Sequence, residues 1–235
     1  MQVDQDQIVV PRRDRIRAAT IEEIKATARR LMAESGTVEA RFTDIARAMG
    51  MTPPALYRYF RDRDELLTAL LADGYNDLAD RLTASRDAVD PADVWGRFTS
   101  IAWAYRAWAH EDLPRYALVF GMPIPGYAAP EDGDTTRAAN RAMSAVETVL
   151  ADAHGRGELR PQPVDVRGSE LTGYLSMGGV PPEIHQAMLH AWMAMHGFVS
   201  LEIFGHLDMV PPAARADLYA AQVRLSALAL GLAPR

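Results

Sequence analysis

The stretch FTDIARAMGMTPPALYRYFRDRDELL, residues 42–67, decides the fold of the N-terminal part of this chain. A short helix-forming segment precedes Gly50, and Pro53 and Pro54 open the next segment with helical spacing. Glycine fits the left-handed conformation that ends a helix at low cost. Proline is tolerated at the first positions of a helix, because the amide groups there have no helical acceptor. The prolines therefore predict the start of a second helix, with Thr52 as its cap.

Two short helices joined by a tight glycine turn are typical of a helix-turn-helix. In the second helix we expect the Ala55 amide to donate to the Thr52 hydroxyl, while Leu56 and Phe60, four residues apart, face inward. The alternative is an ordinary helical hairpin with a charged surface. Against it stand tyrosines and arginines side by side: Tyr57, Arg58, Tyr59, Arg61 and Arg63. Hydroxyl and guanidinium groups suit phosphate oxygens and base edges, so the pattern favours DNA binding.

The composition indicates a soluble protein with a sizeable core. The chain has 235 residues, of which 49% are hydrophobic, and it contains no cysteine, so neither a disulfide framework nor a thiolate metal site is expected. No apolar run approaches the length of a membrane span, and the N-terminus lacks a secretory apolar block. The sequence therefore predicts a cytoplasmic protein with no membrane partner.

The net charge of −6 is unevenly distributed along the chain. Residues 1–70 hold 12 basic and 11 acidic side chains, whereas residues 71–235 hold 13 basic and 20 acidic ones. Phosphate contact needs local cations and does not need a basic protein as a whole. The charge distribution therefore permits DNA binding by the N-terminal part.

Apolar residues recur at helical spacing along the rest of the chain, and alternating strand patterns are absent, so we expect an all-α fold. Asp64 is the expected cap of a long helix with one stripe of leucines, and Asp90 before Pro91 is the expected cap of the next helix. Residues 121–134 are predicted to be a loop rich in proline and glycine. The predicted helical ranges, apart from the helix that begins at Asp90, are 14–35, 64–86, 135–155, 165–177, 181–205 and 211–230.

The opening stretch resembles the N-terminal DNA-binding domain of the tetracycline-repressor (TetR) family. The matching residues are Ile45-Ala46, Gly50, Leu56-Tyr57, Tyr59-Phe60, Arg63 and Leu66-Leu67. The resemblance implies three helices, the third of which lies in the major groove. It implies base contacts from Thr52, Pro53, Pro54, Ala55 and Arg58, and phosphate contacts from Tyr57, Tyr59 and Arg63.

The sequence departs from this family at the start of the second helix. Arg41 stands where the family usually has a capping Ser or Thr, and Thr43 stands where a basic residue is common. Thr43 is therefore a candidate both for the DNA contact at its position and for the cap of that helix.

The C-terminal part also resembles TetR proteins, in the regulatory region of one subfamily. The matching segments are AYRAWAHEDLPRYALVFG, residues 104–121, and AWMAMHGFVSLEIFGHL, residues 191–207, which contains Trp192, His196 and Gly197. The resemblance implies a helical ligand pocket and a homodimer formed by the last two long helices. The alternative is that both helices only cover the core of a monomer, but a single helix-turn-helix reads only half of a site.

The resemblance and the helical pattern together predict three parts of the chain. They are a flexible N-terminal arm over residues 1–13, a helix-turn-helix domain over 14–63, and a helical ligand-binding and dimerisation domain over 64–235. The helix predicted over 64–86 is then the connection through which a ligand acts on the DNA-binding domain.

An excess of tryptophan and methionine in the C-terminal part indicates an adaptable apolar cavity for an apolar or aromatic ligand. Taken singly, each candidate is also a good core residue. The candidates are Trp103, Tyr105, Trp108, Phe120, Met122, Tyr174, Met177, Met188, Trp192, Met195 and Phe198. No cofactor or metal is expected, because the H-E-x-x-H spacing fails after His185, where Gln186 follows and Leu189 takes the place of the second ligand.

These observations predict a ligand-responsive transcriptional regulator, a repressor that an apolar small molecule releases from a palindromic DNA operator. One alternative is an all-helical carrier or enzyme that binds an apolar small molecule, and another is a purely architectural helical dimer. No Ser-His-Asp order, paired-carboxylate pattern or phosphate-binding glycine loop is present in the sequence, so an enzyme is not expected.

Overall fold

A computed structural model describes residues 11–38, 41–160, 169–175 and 180–232, and every regular element in these ranges is an α-helix. This confirms the all-α prediction. No helix in these ranges combines the length and the apolar character that crossing a membrane requires. The ten helices are α1 (Arg12–Ser35), α2 (Phe42–Ala48), α3 (Pro53–Leu56), α4 (Arg63–Asp87), α5 (Val94–Glu111), α6 (Leu113–Phe120), α7 (Asp134–Gly155), α8 (Ser169–Leu175), α9 (Pro182–Ile203) and α10 (Pro212–Ala229).

The turn between α2 and α3 has the predicted left-handed glycine, with a φ of 65° at Gly50. The Gly50 amide donates to the Arg47 carbonyl at 3.2 Å, and the Met51 amide donates to the Ala46 carbonyl at 2.8 Å. These two bonds satisfy the last carbonyls of α2 in the Schellman pattern. A Cβ at Gly50 would meet no atom within 4 Å, so the backbone conformation requires glycine here and the available space does not.

The starts of α2 and α3 differ from the expected caps. Thr52 precedes α3 as predicted, but the Ala55 amide donates to the main-chain carbonyl of Thr52, at 2.9 Å, and the Thr52 hydroxyl makes no capping bond. Thr43 does not cap α2, because the helix begins at Phe42 and Arg41 occupies the cap position without a side-chain bond. In both places a backbone bond of the tight first turn replaces the side-chain cap.

The start of α4 lies one residue earlier than expected, and its cap is Asp62 instead of Asp64. The Asp62 carboxylate accepts a bond from the Glu65 amide at 2.8 Å, and the Glu65 carboxylate accepts one from the Arg61 amide at 2.5 Å. The three-residue spacing from Asp62 to Glu65 is that of a capping box. Asp64 lies in the first turn, where its charge still favours the helix dipole.

The expected cap of α5 is also displaced. Asp93, and not Asp90, caps the helix by accepting a bond from the Gly96 amide at 2.9 Å. Asp90 accepts a bond from the Ala92 amide at 2.8 Å and so closes a tight turn before the helix. Asp90 and Pro91 therefore form the turn that leads to the cap.

The aromatic segment 104–121, which was treated as continuous in the sequence, is broken at Asp112 into the end of α5 and a separate helix α6. Asp112 ends α5 and caps α6 by accepting a bond from the Arg115 amide at 2.9 Å, and Pro114 occupies the second position of α6. The break lets α6 turn back against α4 and α5, with which it is in contact.

The remaining boundaries lie close to those predicted. Helices α7, α9 and α10 each begin within one residue of the expected position. Helix α8 covers 169–175 of the predicted 165–177, and the other residues of that range lie outside the described residues. Most of the predicted arm, residues 1–10, also lies outside them, while Arg12 and Arg13 belong to α1 and not to the arm.

Two hydrophobic cores form along the chain, and α4 passes through both. The N-terminal core contains buried residues of α1, α2, α3 and the first half of α4, together with Leu118 of α6 and Ile124 of the following loop. The C-terminal core contains the second half of α4 and buried residues of α5, α6, α7, α9 and α10. Leucines 66, 67, 70 and 71 of α4 belong to the first core, and Leu78 and Leu82 belong to the second.

Two carboxylates one turn apart on α4, Asp73 and Asp77, bind side chains of different helices. Asp73 forms ion pairs with Lys25 of α1 at 2.7 Å and with Arg29 at 3.3 Å, and the Lys25 side chain is 9% exposed. Asp77 accepts bonds from Trp108 Nε1 at 2.7 Å and from Arg115 at 2.5 Å. The same face of α4 is therefore tied to the N-terminal helices by one carboxylate and to α5 and α6 by the next.

Candidate functional site

The surface of α3 and of the turn after it presents most of the predicted DNA-contacting side chains to solvent. Leu56 is fully buried and Phe60 is 5% exposed, so these two residues seat the segment on the N-terminal core as predicted. The predicted contacts that are exposed are Thr43, Thr52, Pro53, Pro54, Tyr57 and Arg58, and those that are half-buried are Ala55, Tyr59 and Arg63.

The two tyrosines of this surface are fixed by different neighbours. The Tyr57 ring packs against Phe42 of α2 with ring centroids 5.1 Å apart, and 57% of the residue remains exposed. The Tyr59 ring lies under the Arg17 guanidinium, 5.3 Å from the ring centroid. Arg17 also donates to the main-chain carbonyl of Arg58 at 2.8 Å, so α1 holds the backbone of the turn that carries Arg58.

Helix α1 also contributes to this surface, which was not predicted from the sequence. Arg17 belongs to the segment RRDRIR, residues 12–17, in which four arginines stand close together and every residue is exposed. The density of arginines was the signal that could have identified it.

Several guanidinium groups of this surface are available for phosphate. Arg61 pairs with Asp62 at 3.0 Å, whereas Arg58 and Arg63 have no acidic partner within the described part of the chain. The same holds, within that part, for Arg12, Arg13 and Arg15 at the start of α1. An arginine without an internal carboxylate keeps its charge and its fork of donors for a phosphate oxygen. The surface therefore has the electrostatics of a nucleic-acid interface.

A cavity of about 240 Å³ lies in the C-terminal core. Four of the predicted pocket residues line it: Tyr105 of α5, Phe120 of α6, and Trp192 and Met195 of α9. The other lining residues are Tyr75, Leu78, Leu82, Ile101, Ala102, Ala139, Ala142, Met143 and Val146. Four of these, on α7, follow one another at helical spacing, and this apolar stripe was the sequence signal that could have identified them.

Three aromatic candidates pack elsewhere in the fold. Trp103 is 38% exposed and lies edge-on against Tyr219 of α10, with centroids 5.1 Å apart. Phe198 contacts the same tyrosine at 5.3 Å. Trp108 is fully buried, and its Nε1 donates to Asp77 of α4, so it joins helices and does not line the cavity.

The remaining candidates are also not in the cavity wall. Met122 is 84% exposed in the loop after α6, and Tyr174 is 51% exposed beside His185, with ring centroids 5.5 Å apart. Met188 is buried in the C-terminal core. Met177 lies outside the described residues.

A hydrogen-bonded network stands behind the cavity wall. The Tyr105 hydroxyl is 2.7 Å from His196 Nδ1 and 3.4 Å from the Tyr116 hydroxyl, which in turn is 2.7 Å from Ser200 Oγ. Burial lowers the pKa of the His196 imidazole, which favours its neutral form, and burial raises the pKa of the Tyr105 hydroxyl. The network therefore places polar groups beside the cavity without placing a charge there.

The outer faces of α9 and α10 carry large apolar side chains at helical spacing. On α9 a Cβ at Gly197 would meet no atom within 4 Å, so this face is open at the glycine. The exposed apolar residues of the two helices are Met193, Leu201, Leu218, Leu225 and Leu228, and Phe204 follows α9 directly. Monomeric proteins rarely expose contiguous apolar patches of this kind unless a partner covers them.

No group of three or more His, Asp or Glu side chains within the described ranges could hold a metal ion.

Comparisons with known proteins assign both parts of the chain to one family. The family model described as "Bacterial regulatory proteins, tetR family" matches residues 24–70. The model described as "Tetracyclin repressor-like, C-terminal domain" matches residues 98–225.

Relatives of known sequence are regulators. The chain is 36% identical over 200 residues, 82% of each chain, to the HTH-type transcriptional regulator Rv1816 of Mycobacterium tuberculosis. It is 27% identical over 167 residues to the HTH-type transcriptional regulator Rv0681 of the same organism, covering 70% of this chain and 61% of that one.

Solved structures have the same fold. SCO4313, described as a regulatory protein, is 32% identical, with a TM-score of 0.74 over 92% of this chain and 98% of that one. RolR, solved in complex with its ligand resorcinol, is 16% identical, with a TM-score of 0.55 over 93% of this chain and 91% of that one, and this likeness concerns the fold alone. The family models and the regulator from M. tuberculosis establish that the chain belongs to the TetR family of DNA-binding transcriptional regulators, whose helix-turn-helix is the segment built around Gly50.

Proposed function

We propose that the chain is a repressor that binds a palindromic operator as a homodimer and is released from it by a small apolar or aromatic molecule. One observation carries the proposal. Helix α4 follows directly on the turn that carries Arg58, in the DNA-contacting surface proposed here as the reading surface (α3, the turn after it and the start of α1), and its second half, through Tyr75, Leu78 and Leu82, forms one wall of an apolar cavity.

The DNA contacts of the proposal follow from exposure and charge. With the exposed start of α3 in the major groove, Thr52, Pro53 and Pro54 face the bases, and Ala55 lies at the same edge. Arg58 is the side chain suited to a bidentate contact with guanine. The phosphate contacts are assigned to Thr43, Tyr57, Tyr59 and Arg63, with the arginines of residues 12–17 extending the basic surface along α1.

The homodimer of the proposal uses the apolar faces of α9 and α10. A second copy is the occupant that these faces suit, because a symmetric pair would bury both stripes at once. The two reading surfaces would then lie about 34 Å apart, one turn of the duplex, as a palindromic site requires.

The dimer is tested by light scattering at micromolar concentration without DNA. The wild-type protein should have the mass of two chains, and Leu225→Glu should shift it towards one, because the charge enters the proposed interface. Ala220→Glu is the matched control, since Ala220 is exposed on α10 but points away from the apolar stripe. Circular dichroism verifies that both variants are folded. A monomeric wild-type protein would contradict the proposed dimer.

Helix α6 supports a route by which a ligand acts on the DNA-binding surface. Phe120 lines the cavity, while Leu118, two residues earlier, is buried in the N-terminal core. Between these two residues, Val119 packs directly against Gly74 of α4. A Cβ added at Gly74 would lie 2.6 Å from Val119 Cγ2. A ligand that displaces Phe120 would therefore also move Leu118 in the N-terminal core. Helix α6 is thus a second connection between the cavity and the N-terminal core, in addition to α4.

Calorimetry tests the proposed control. Operator duplexes are first selected from a random pool with the purified protein, and resorcinol, the ligand of RolR, is a starting probe together with other single-ring compounds. A releasing ligand should bind about 5- to 150-fold more weakly to the operator complex than to the free protein, because the coupling between two sites is reciprocal. Equal ligand affinity in the two states would exclude release by this ligand even if the ligand binds.

A further inference from the structure

We propose that the cavity takes an uncharged ligand about the size of one substituted aromatic ring, and that the Tyr75 hydroxyl donates a hydrogen bond to an acceptor on this ligand. The inference rests on the proposed ligand-responsive function and names the class of molecule that the cavity accepts.

The volume sets the size of the ligand. A dry apolar cavity of about 150 Å³ is known to hold benzene. The cavity described here, at about 240 Å³, is larger and is lined by aromatic and aliphatic side chains on helices α4, α5, α6, α7 and α9. It therefore has room for one ring with a substituent and is small for a fused polycyclic ligand.

The cavity wall excludes charged ligands. None of the described residues that line it carries a charged side chain. His196 stands behind Tyr105 and Trp192, and burial lowers the pKa of its imidazole, which favours the neutral form. A carboxylate or ammonium in this space would lose its hydration without gaining a counter-charge, which is strongly unfavourable.

Three lining side chains carry polar atoms, and two of them are unengaged. The Tyr105 hydroxyl is already bonded to His196 and lies near the Tyr116 hydroxyl. The Tyr75 hydroxyl and Trp192 Nε1 have no hydrogen-bond partner within the described part of the chain. Trp192 Nε1 can only donate, whereas the Tyr75 hydroxyl can donate or accept, so an acceptor on the ligand is the one feature that suits both groups.

Tyr75 is the better placed of the two donors. Burial raises the pKa of its hydroxyl, so the group keeps its proton. Its ring is held edge-on by Phe120, with centroids 5.6 Å apart, and Phe120 is itself part of the wall. Because Tyr75 is on α4, between Asp73 and Asp77, a bond to its hydroxyl would act directly on the helix that joins the two cores.

A pair of probes of the same shape isolates the hydrogen bond. Acetophenone has a carbonyl acceptor, α-methylstyrene has a CH₂ group in place of that oxygen, and benzoate adds a charge. Calorimetry on the full-length protein without DNA gives the affinity of each probe for wild type, for Tyr75→Phe, and for Tyr105→Phe. Tyr105→Phe is the matched control, because this tyrosine also lines the cavity but its hydroxyl already has protein partners.

We expect Tyr75→Phe to weaken acetophenone about tenfold and α-methylstyrene less than about twofold, since the variant removes only the donor. Tyr105→Phe should change the affinities of the two neutral probes by the same factor. Equal losses for both probes in Tyr75→Phe would overturn the role of Tyr75. Tighter binding of benzoate than of acetophenone, or no binding of either neutral probe, would overturn the ligand class.

The inference and the proposed function fail in different ways. Operator binding is measured on the same proteins, with and without each probe. If acetophenone binds through Tyr75 but does not change the affinity for the operator, the assigned ligand class is supported. The proposal that such a ligand releases the protein from the operator is then wrong. If the probes fail while the operator binds, the DNA-binding function stands alone.

Discussion

The N-terminal and C-terminal cores are both helical, yet they bury different chemistry. The N-terminal core is mainly aliphatic, and the arginines and Tyr57 project from the surface around it. The C-terminal core is rich in aromatic rings, contains hydrogen-bonded groups such as Tyr105 and Tyr116, and encloses the cavity. A rigid reading surface is best supported by dense packing, whereas a ligand site needs space and polar groups inside. This difference agrees with the two proposed roles, a surface that contacts DNA in the N-terminal part and a ligand site inside the C-terminal part.

Each of the two regions also contains a buried charge that is paired with a side chain of another helix. Lys25 is held between Glu22 and Asp73, each at 2.7 Å, at the edge of the N-terminal core. Glu202 of α9 is 3% exposed and is bonded by Arg106 at 2.6 Å and by His110 at 2.9 Å. Although burial, the largest single influence, would raise the pKa of Glu202, the bonds from Arg106 and His110 lower it to about 2. Each buried charge thus fixes the position of one helix against another.

The largest expected effect comes from opening one core and leaving the other intact. Leu56 and Leu150 are both fully buried, the first in the N-terminal core and the second in the C-terminal core. Each change to alanine should cost about 2–5 kcal/mol of unfolding free energy, measured by urea denaturation. At a temperature where both variants remain folded, Leu56→Ala should weaken operator binding more, and Leu150→Ala should weaken ligand binding more. The same loss of both functions in both variants would show that the cores are not separable.

A smaller effect is expected from the reading surface itself, without loss of stability. Arg58→Ala should weaken operator binding by about 1–3 kcal/mol and relax the preference for one base pair, because it removes the proposed bidentate contact. Tyr59→Phe should weaken binding to all sequences alike, since it removes a proposed phosphate contact. Fluorescence anisotropy with the selected operator and single-base variants measures both.

Arg47→Ala is the control for this prediction. Arg47 is exposed on α2 and pairs with Asp44 at 3.5 Å, so its loss should change binding less. Unchanged affinity and sequence preference in Arg58→Ala would show that Arg58 is not in the groove.

The smallest expected effect is one of pH, and it should be confined to the C-terminal region. All six histidines follow residue 71, so acidification to pH 5.5 adds no histidine charge to the N-terminal core. Burial lowers the pKa of His196, and burial raises the pKa of its hydrogen-bond partner Tyr105, which therefore stays neutral at these pH values. Its stabilising contribution is complete above the unfolded pKa, about 6.5, and is lost as the pH falls below that value towards the lowered pKa of the folded state.

Urea denaturation between pH 7.5 and pH 5.5 measures this contribution. The unfolding free energy of the wild type should fall more steeply with acidification than that of His196→Gln. His206→Gln, at an exposed position, should follow the wild type. Identical slopes for wild type and His196→Gln would refute the prediction.

The features that depend on local chemistry could be predicted from the sequence. Gly50 and the two prolines after it dictate a turn and a helix start by their own conformational limits. The cap of α4 was predicted wrongly as Asp64 and is Asp62, which precedes the same leucine run. Glu65 identifies the cap, because its amide lies three residues after Asp62 and donates to the Asp62 carboxylate.

The features that depend on distant partners could not be predicted from the sequence. Trp103, Tyr105 and Trp108 lie on one helix and are alike in composition, yet only Tyr105 reaches the cavity. Trp103 packs against Tyr219 of α10, and the Nε1 of Trp108 donates to Asp77 of α4. Which face of α5 turns towards the cavity is therefore set by helices far away in the sequence, and not by the spacing within α5.

The position of Leu118 and Ile124 in the N-terminal core bears on how such regulators are recombined into biosensors. A hybrid that joins residues 12–71 of this chain to the sensing part of another protein would omit both side chains. The α4 leucines that share the N-terminal core with Leu118 and Ile124 would then pack against side chains of a different protein. The exchangeable unit is consequently discontinuous, and a working chimera must carry α6 and the start of its following loop along with the three N-terminal helices.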